Sequence, residues 1–233
     1  MSRIHWPSTA RQSRLMVKLF DQGEAGEVWV VFDQHNATVA GRDAESVDEY
    51  GATIAISTVE KYLGMQLPVG YLSYGSSPIT TPPVRGGGQL EEITRNIAIS
   101  KPTGSTELVD ILADLDPSIG ANTALVLITG SRSTDWVPAL QGLARRGVNA
   151  SVALLDRDSF LDEEQCTGTE ADSNKNVLVD LVSAGIRTYI IKQGDPIASS
   201  LTDSVHENEF ARPEEEIVDQ PEELIEAAAG GGE

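Results

Sequence analysis

Only one cysteine, Cys166, occurs in the 233 residues. It cannot close an internal disulfide or build a thiolate metal cluster, so nothing supports an oxidising compartment and the cytoplasm is the expected location. Aromatic side chains are scarce, at 5 %, which argues against an aromatic-rich binding barrel. Positive charge is in deficit, with 17 Lys and Arg against 36 Asp and Glu for a net charge of -19. Gripping phosphates needs clustered cations that displace counterions, so nucleic acid is not an expected partner. Long apolar runs are also missing. A stretch such as Ala124 to Ile128 is far short of the roughly 20 residues of a spanning helix. Met1 opens no apolar signal region, so neither a membrane span nor an export signal is expected in this chain.

What is present is a rhythm of short apolar strands and amphipathic helices. Glu27 to Asp33 is Val-rich and ends on an acid, as a central strand does. From Arg42 to Leu63 the positions Val47, Tyr50, Ile54, Val59 and Leu63 recur at helical spacing before Gly64. Leu67 to Tyr74 and Ile79 to Val84 flank the turn residues Gly75 to Pro78 and read as a hairpin. Pro82 and Pro83 cannot donate ladder hydrogen bonds, which puts the second arm at the sheet edge. Helices are expected over about 89–99 and 105–115, then a strong strand over Thr123 to Thr129 beside the first. A helix over Trp136 to Arg146, a strand over Ala150 to Leu155, a helix over Asn176 to Ala184, a strand over Arg187 to Ile191 and a last helix from Pro196 follow. This alternation predicts an α/β fold: a doubly wound, mostly parallel six-stranded sheet with one antiparallel edge strand and helices on both faces. The polar loop from Arg157 to Asn174 has no assignable periodicity. From Glu207 to Glu233 ten acids face Arg212 alone, so nearly half of the net charge sits in a tail too poor in apolar residues to fold.

Composition does not account for the string from Arg3 to Phe20. Its residues Arg3, Ile4, His5, Trp6, Thr9, Ala10, Arg11, Arg14, Leu15, Met16, Val17 and Lys18 resemble, in order, the signature of the domain of unknown function 58 family. Element order and apolar strands extend the resemblance to about Gln193. It implies a von Willebrand factor A-like domain and a role beside a MoxR-type AAA+ ATPase, whose genes commonly accompany the family, in assembling or activating other proteins. Such family members usually carry a transmembrane pair and a β-rich segment before the signature. The chain therefore resembles the C-terminal part of a longer, membrane-tethered protein. The layout expected is a signature segment with one strand over 1–24, the domain over 25–205 and an acidic tail over 206–233.

Related von Willebrand factor A domains hold a divalent cation through an Asp-x-Ser-x-Ser loop, a distant Thr and an Asp after a central strand, which makes Mg2+ the candidate ion for this chain. By that resemblance Asp33 matches the first Asp and Thr106 the Thr. His35 and Ala37 stand in place of the serines, Gly130 in place of the last Asp, and Asp135 comes five residues later. The resemblance thus implies a degenerate site, with Asp33 and Thr106 as the remaining metal candidates and no cofactor expected.

Each candidate has a plainer role beside the functional one. Asp33 could cap the turn that follows it, and Ser105 or Thr106 could cap the next helix, with Glu107 in its first turn. His35 could be an ordinary polar loop residue. Arg3, His5, Trp6, Arg11 and Arg14 form the one basic cluster, which suits internal packing or a docking surface. Gly86 to Gly88 lack the Gly-Lys-Ser/Thr or GxGxxG context of a phosphate loop, and neither Cys166 nor Ser131 has the setting of a nucleophile. The expected function is therefore a non-enzymatic protein-binding module using the loops around Asp33, His35, Asn36 and Thr38, around Ser105 and Thr106, and around Ser131 and Asp135. Two rivals are a metal-dependent hydrolase with Asp33, His35 and Asp135 as ligands, and a truncated remnant without independent function.

Overall fold

The computed structural model describes residues 26–161 and 171–197. The strand expected in the signature segment, Cys166, all but the first two residues of the helix expected from Pro196, and the acidic tail lie outside them. Six strands form one sheet: β1 (Glu27–Phe32), β2 (Val69–Tyr74), β3 (Pro78–Val84), β4 (Thr123–Thr129), β5 (Asn149–Leu155) and β6 (Arg187–Ile191). Their order is β3-β2-β1-β4-β5-β6. All neighbours are parallel except β2 and β3, which form the antiparallel hairpin. The two most apolar strands, β1 and β4, lie side by side at the centre, with Val31 opposite Leu127. Pro82 and Pro83 fall on the edge strand, where the missing N–H groups cost no ladder bond.

Side chains alternate across a strand, so a strand covered on both faces must be apolar at nearly every position. Trp29, Val31, Leu125, Leu127, Val152 and Leu154 face one core, closed by Leu108, Ile111, Leu112, Leu140, Leu143, Val177 and Leu181. These come from α3 (Leu108–Leu115), α4 (Val137–Arg145) and α5 (Ala171–Ser183). Val28, Val30, Phe32, Tyr71 and Leu155 face the other, under Ile54, Val59, Ile93 and Ile97 of α1 (Val47–Gly64) and α2 (Gly87–Ile99). Helices therefore cover both faces, as the alternation predicts.

Three boundaries differ from the sequence reading. Residues Gly41–Arg42 and Glu45–Ser46 form a two-residue hairpin instead of a first helical turn. Helix α1 starts only after Ser46, whose Oγ accepts the Glu49 N–H at 3.4 Å. Helix α3 starts at Leu108, three residues later than the apolar pattern suggests, with Glu107 as its extended capping residue. The loop after β5 contains a short 3-10 turn over Arg157–Phe160, and α5 begins at Ala171, five residues before the expected start.

Candidate functional site

Parallel strands deliver their following loops to one end of the sheet, which is where α/β domains place ligand sites. Asp33 follows β1 directly. Its N–H donates to Ile128 O at 2.9 Å, continuing the β1–β4 ladder by one residue. The side chain is buried, with 4 % exposure. Asp33 Oδ2 accepts from Thr129 Oγ1 at 2.6 Å and Oδ1 accepts the His35 N–H at 3.0 Å. The second bond is the capping role open to an Asp at a turn. Burial raises the Asp33 pKa above its ordinary value, against the lowering effect of the Thr129 and His35 bonds.

His35 is more than a polar loop residue. Its Nδ1 accepts the Ala37 N–H at 3.0 Å, capping the 3-10 turn over Asn36–Thr38, and its Nε2 lies 3.7 Å from Glu107 Oε1. Thr38 is buried and donates from Oγ1 to His35 O at 2.7 Å. Asn36 and Ala37 between them are exposed.

The second loop is tied to the first through backbone. Gly104 N–H donates to Gln34 O at 3.1 Å, Asn36 N–H donates to Gly104 O at 2.8 Å, and His35 and Gly104 form a parallel bridge. A Cβ at position 104 would run into the Tyr74 carbonyl, so only glycine permits this approach. This pinning holds the segment before Glu107 extended, which is why α3 starts late and why neither Ser105 nor Thr106 caps it. Ser105 is exposed and Thr106 half-buried. The buried Gln34 side chain adds a further tie, its Oε1 accepting from Ser100 Oγ.

The third loop leaves β4. Thr129 Oγ1, having donated to Asp33, accepts the Ser131 N–H at 2.9 Å. Ser131 Oγ accepts from Ser133 N–H at 3.3 Å, and Ser133 Oγ from Asp135 N–H at 3.2 Å. These steps carry the chain to Trp136 at the start of α4, with Asp135 exposed. Arg132 pairs with Asp158 of the 3-10 turn after β5.

The structure thus brings the three expected loops together but divides their residues into two kinds. Asp33 and Thr38 are buried supports, while Asn36, Ser105 and Asp135 face solvent. Sequence reading missed the roles of Gln34, Thr129 and Gly104, and took Glu107 only as a first-turn acid of the helix. Only Thr129 and Gln34 carried a sequence cue, as polar residues at the ends of the two most apolar strands.

Among the described residues no three of His, Cys, Asp or Glu gather as a group able to hold a metal. Asp33, His35 and Asp135 do not come together as such a group. A von Willebrand-type cation does not fit the donors present either. Asp33 keeps lone pairs beside its two hydrogen bonds, but the positions that would complete the shell hold His35, Ala37 and Gly130, His35 Nδ1 is taken by the Ala37 N–H, and the hydroxyl partner of Asp33 is Thr129 rather than Thr106. At Gly130 a Cβ would stand 3.2 Å from Val47 Cγ1 and 3.5 Å from Thr38 O, so a side chain there would need only the Val47 methyl to give slightly. The signature residues Arg3, His5, Trp6, Arg11 and Arg14 lie outside the described residues.

A six-stranded sheet with one antiparallel edge, covered by helices on both faces and carrying its loops at the strand C-termini, is a von Willebrand factor A-like domain. The VWA domain of SpRpn10 superposes with a TM-score of 0.50 at 10 % identity, covering 76 % of this chain and 94 % of that one. BatB from Bacteroides thetaiotaomicron gives 0.47 at 14 % identity over 76 % and 94 %. An aerotolerance-related membrane protein from Bacteroides fragilis gives 0.47 at 14 % over 76 % and 95 %. No curated protein matches the sequence. The family described as "Protein of unknown function DUF58" matches residues 1–196, and the chain belongs to it.

Proposed function

We propose that this chain is a non-enzymatic protein-interaction module whose binding surface is the loop cluster at the C-terminal end of the sheet. The observation that carries the reading is the joining of three loops from separate parts of the sequence into one surface, through Asp33–Thr129 and Gly104–Gln34. Asn36, Ser105 and Asp135 are the exposed side chains it offers. The fold supports an interaction role only at the level of class, because one architecture hosts many functions. The family resemblance supports a finer reading: an adaptor for a MoxR-type AAA+ ATPase that assembles or activates other proteins, working on the cytoplasmic side. Among the described residues no helix is long and apolar enough to cross a membrane.

The test is affinity capture from the source cell's lysate, with the full chain and the triple variant Asn36→Ala, Ser105→Ala, Asp135→Ala as baits. An AAA+ ATPase held by the wild type and lost by the variant is the expected result. Equal capture by both baits would move binding away from these loops.

A further inference from the structure

The loop cluster contains one continuous chain of hydrogen bonds. Ser131 N–H donates to Thr129 Oγ1 at 2.9 Å, Thr129 Oγ1 donates to Asp33 Oδ2 at 2.6 Å, and Asp33 Oδ1 accepts the His35 N–H at 3.0 Å. From His35 the next loop is reached through Asn36 N–H to Gly104 O at 2.8 Å. Asp33 is 4 % exposed and Thr129 fully buried, so water does not compete for these partners. A threonine hydroxyl has one proton and two lone pairs, and here the proton goes to one loop while a lone pair serves the other. Thr129 is therefore the hinge pin between the first and third loops, and Asp33 the pin between the first and the sheet.

A metal ion at this end of the sheet would compete with the Thr129 hydroxyl and the His35 N–H for the Asp33 carboxylate, and it would meet His35, Ala37 and Gly130 where further oxygen ligands would be needed. We propose that an internal Asp33–Thr129 clasp stands where a divalent cation would otherwise organise these loops, so the surface is assembled without metal. Asp33 and Thr129 are positioning residues that do not themselves touch the partner. The proposal deepens the interaction reading above and names how its surface is held in shape.

The test uses the full chain alone and needs no partner, so it fails independently of the adaptor reading. Backbone amide exchange is followed at His35, Asn36 and Ser131, with Val30 and Leu127 as core references, in chelator and in millimolar Mg2+. The expected result is equal protection in both conditions and no calorimetric uptake of Mg2+. Thr129→Val, which keeps shape and loses the hydroxyl, should speed exchange at His35 and Ser131 by about tenfold or more while the core references hold. Thr129→Ser, which restores the hydroxyl, should return both amides to wild-type rates. Stoichiometric Mg2+ binding that slows loop exchange would overturn the proposal by making Asp33 a ligand. Unchanged exchange in Thr129→Val, or a Thr129→Ser variant as fast as Thr129→Val, would overturn it by showing that the hydroxyl does not hold the loops. Should Thr129→Val fail to fold, the Thr129→Ser and Mg2+ arms decide alone.

Discussion

The two ends of the sheet are closed by different means. At the N-terminal end the chain turns mainly on backbone bonds: Gly26 N–H to Asn122 O at 2.9 Å, Asn122 N–H to Gly147 O at 3.2 Å and Val28 N–H to Pro68 O at 2.9 Å. Residues with positive φ make those turns, Gln66, Asn122 and Gly147 among them, and the Thr123 bond to Glu27 is long at 3.3 Å. At the C-terminal end buried side chains add to the backbone bonds of Gly104, through Asp33, Gln34, Thr38 and Thr129. Backbone turns fix a connection and little else, whereas buried polar groups fix where neighbouring side chains present themselves. The polar end is the costlier one to build, since each buried group must find its partner, and it is the end that carries the proposed surface.

The sharpest way to erase the contrast is to remove what both ends share. Leu127→Ala in β4, whose side chain is fully buried, should cost about 2–5 kcal/mol. Urea unfolding should show one cooperative transition shifted for both ends, and two separated transitions would mean the ends are independent units.

Gly104→Ala should separate the ends. Its Cβ meets backbone at Tyr74, so the second loop must move at a cost of about 1–3 kcal/mol. Amide exchange should rise at Asn36 and stay unchanged at Asn122 at the other end. Parallel rises at both would break the comparison.

Asp33 offers a pH-dependent version. Because burial raises its folded value, the carboxyl binds its proton more tightly folded than unfolded. It contributes stability that is fully present below the ordinary value and is lost as pH rises through the raised one. Asp33→Asn does not titrate. Wild-type stability relative to that variant should therefore fall as pH climbs from the ordinary aspartate range of about 3.8 through the raised value, read from urea melts across pH. A flat difference would mean the carboxyl titrates alike in both states.

The smallest effect belongs to the N-terminal end. The ion pair of Arg146 with Asp116 joins the ends of α4 and α3 with both side chains about half exposed. Asp116→Asn should change stability by less than about 1 kcal/mol and leave loop exchange untouched. A larger loss in thermal melts would show that the N-terminal end also depends on side-chain ties.

Much of the fold was legible because its physics is local. Strand β6 reads directly from Arg187 to Ile191, the Pro82–Pro83 pair marks an edge strand, and β1 and β4 announce themselves as central by being apolar on both faces. The late start of α3 was not legible, because Gly104 is held by Gln34, seventy positions earlier in the chain. The site was legible only as loops at the right end. Asp33 stood out, but its hydroxyl partner was sought at Thr106, and the true partner, Thr129, looked like the last residue of an apolar strand.

Sequence alone determined the six sheet strands and the order of the helices between them, which faces are apolar and to which family the chain belongs, because periodicity and motif order are written residue by residue. Tertiary structure alone decided that Asp33 meets Thr129, that Gly104 seats against Gln34 and that Gly130 packs beside Val47 and Thr38. Each of those depends on contacts between residues tens of positions apart, which strand order and register bring together and which no local pattern specifies.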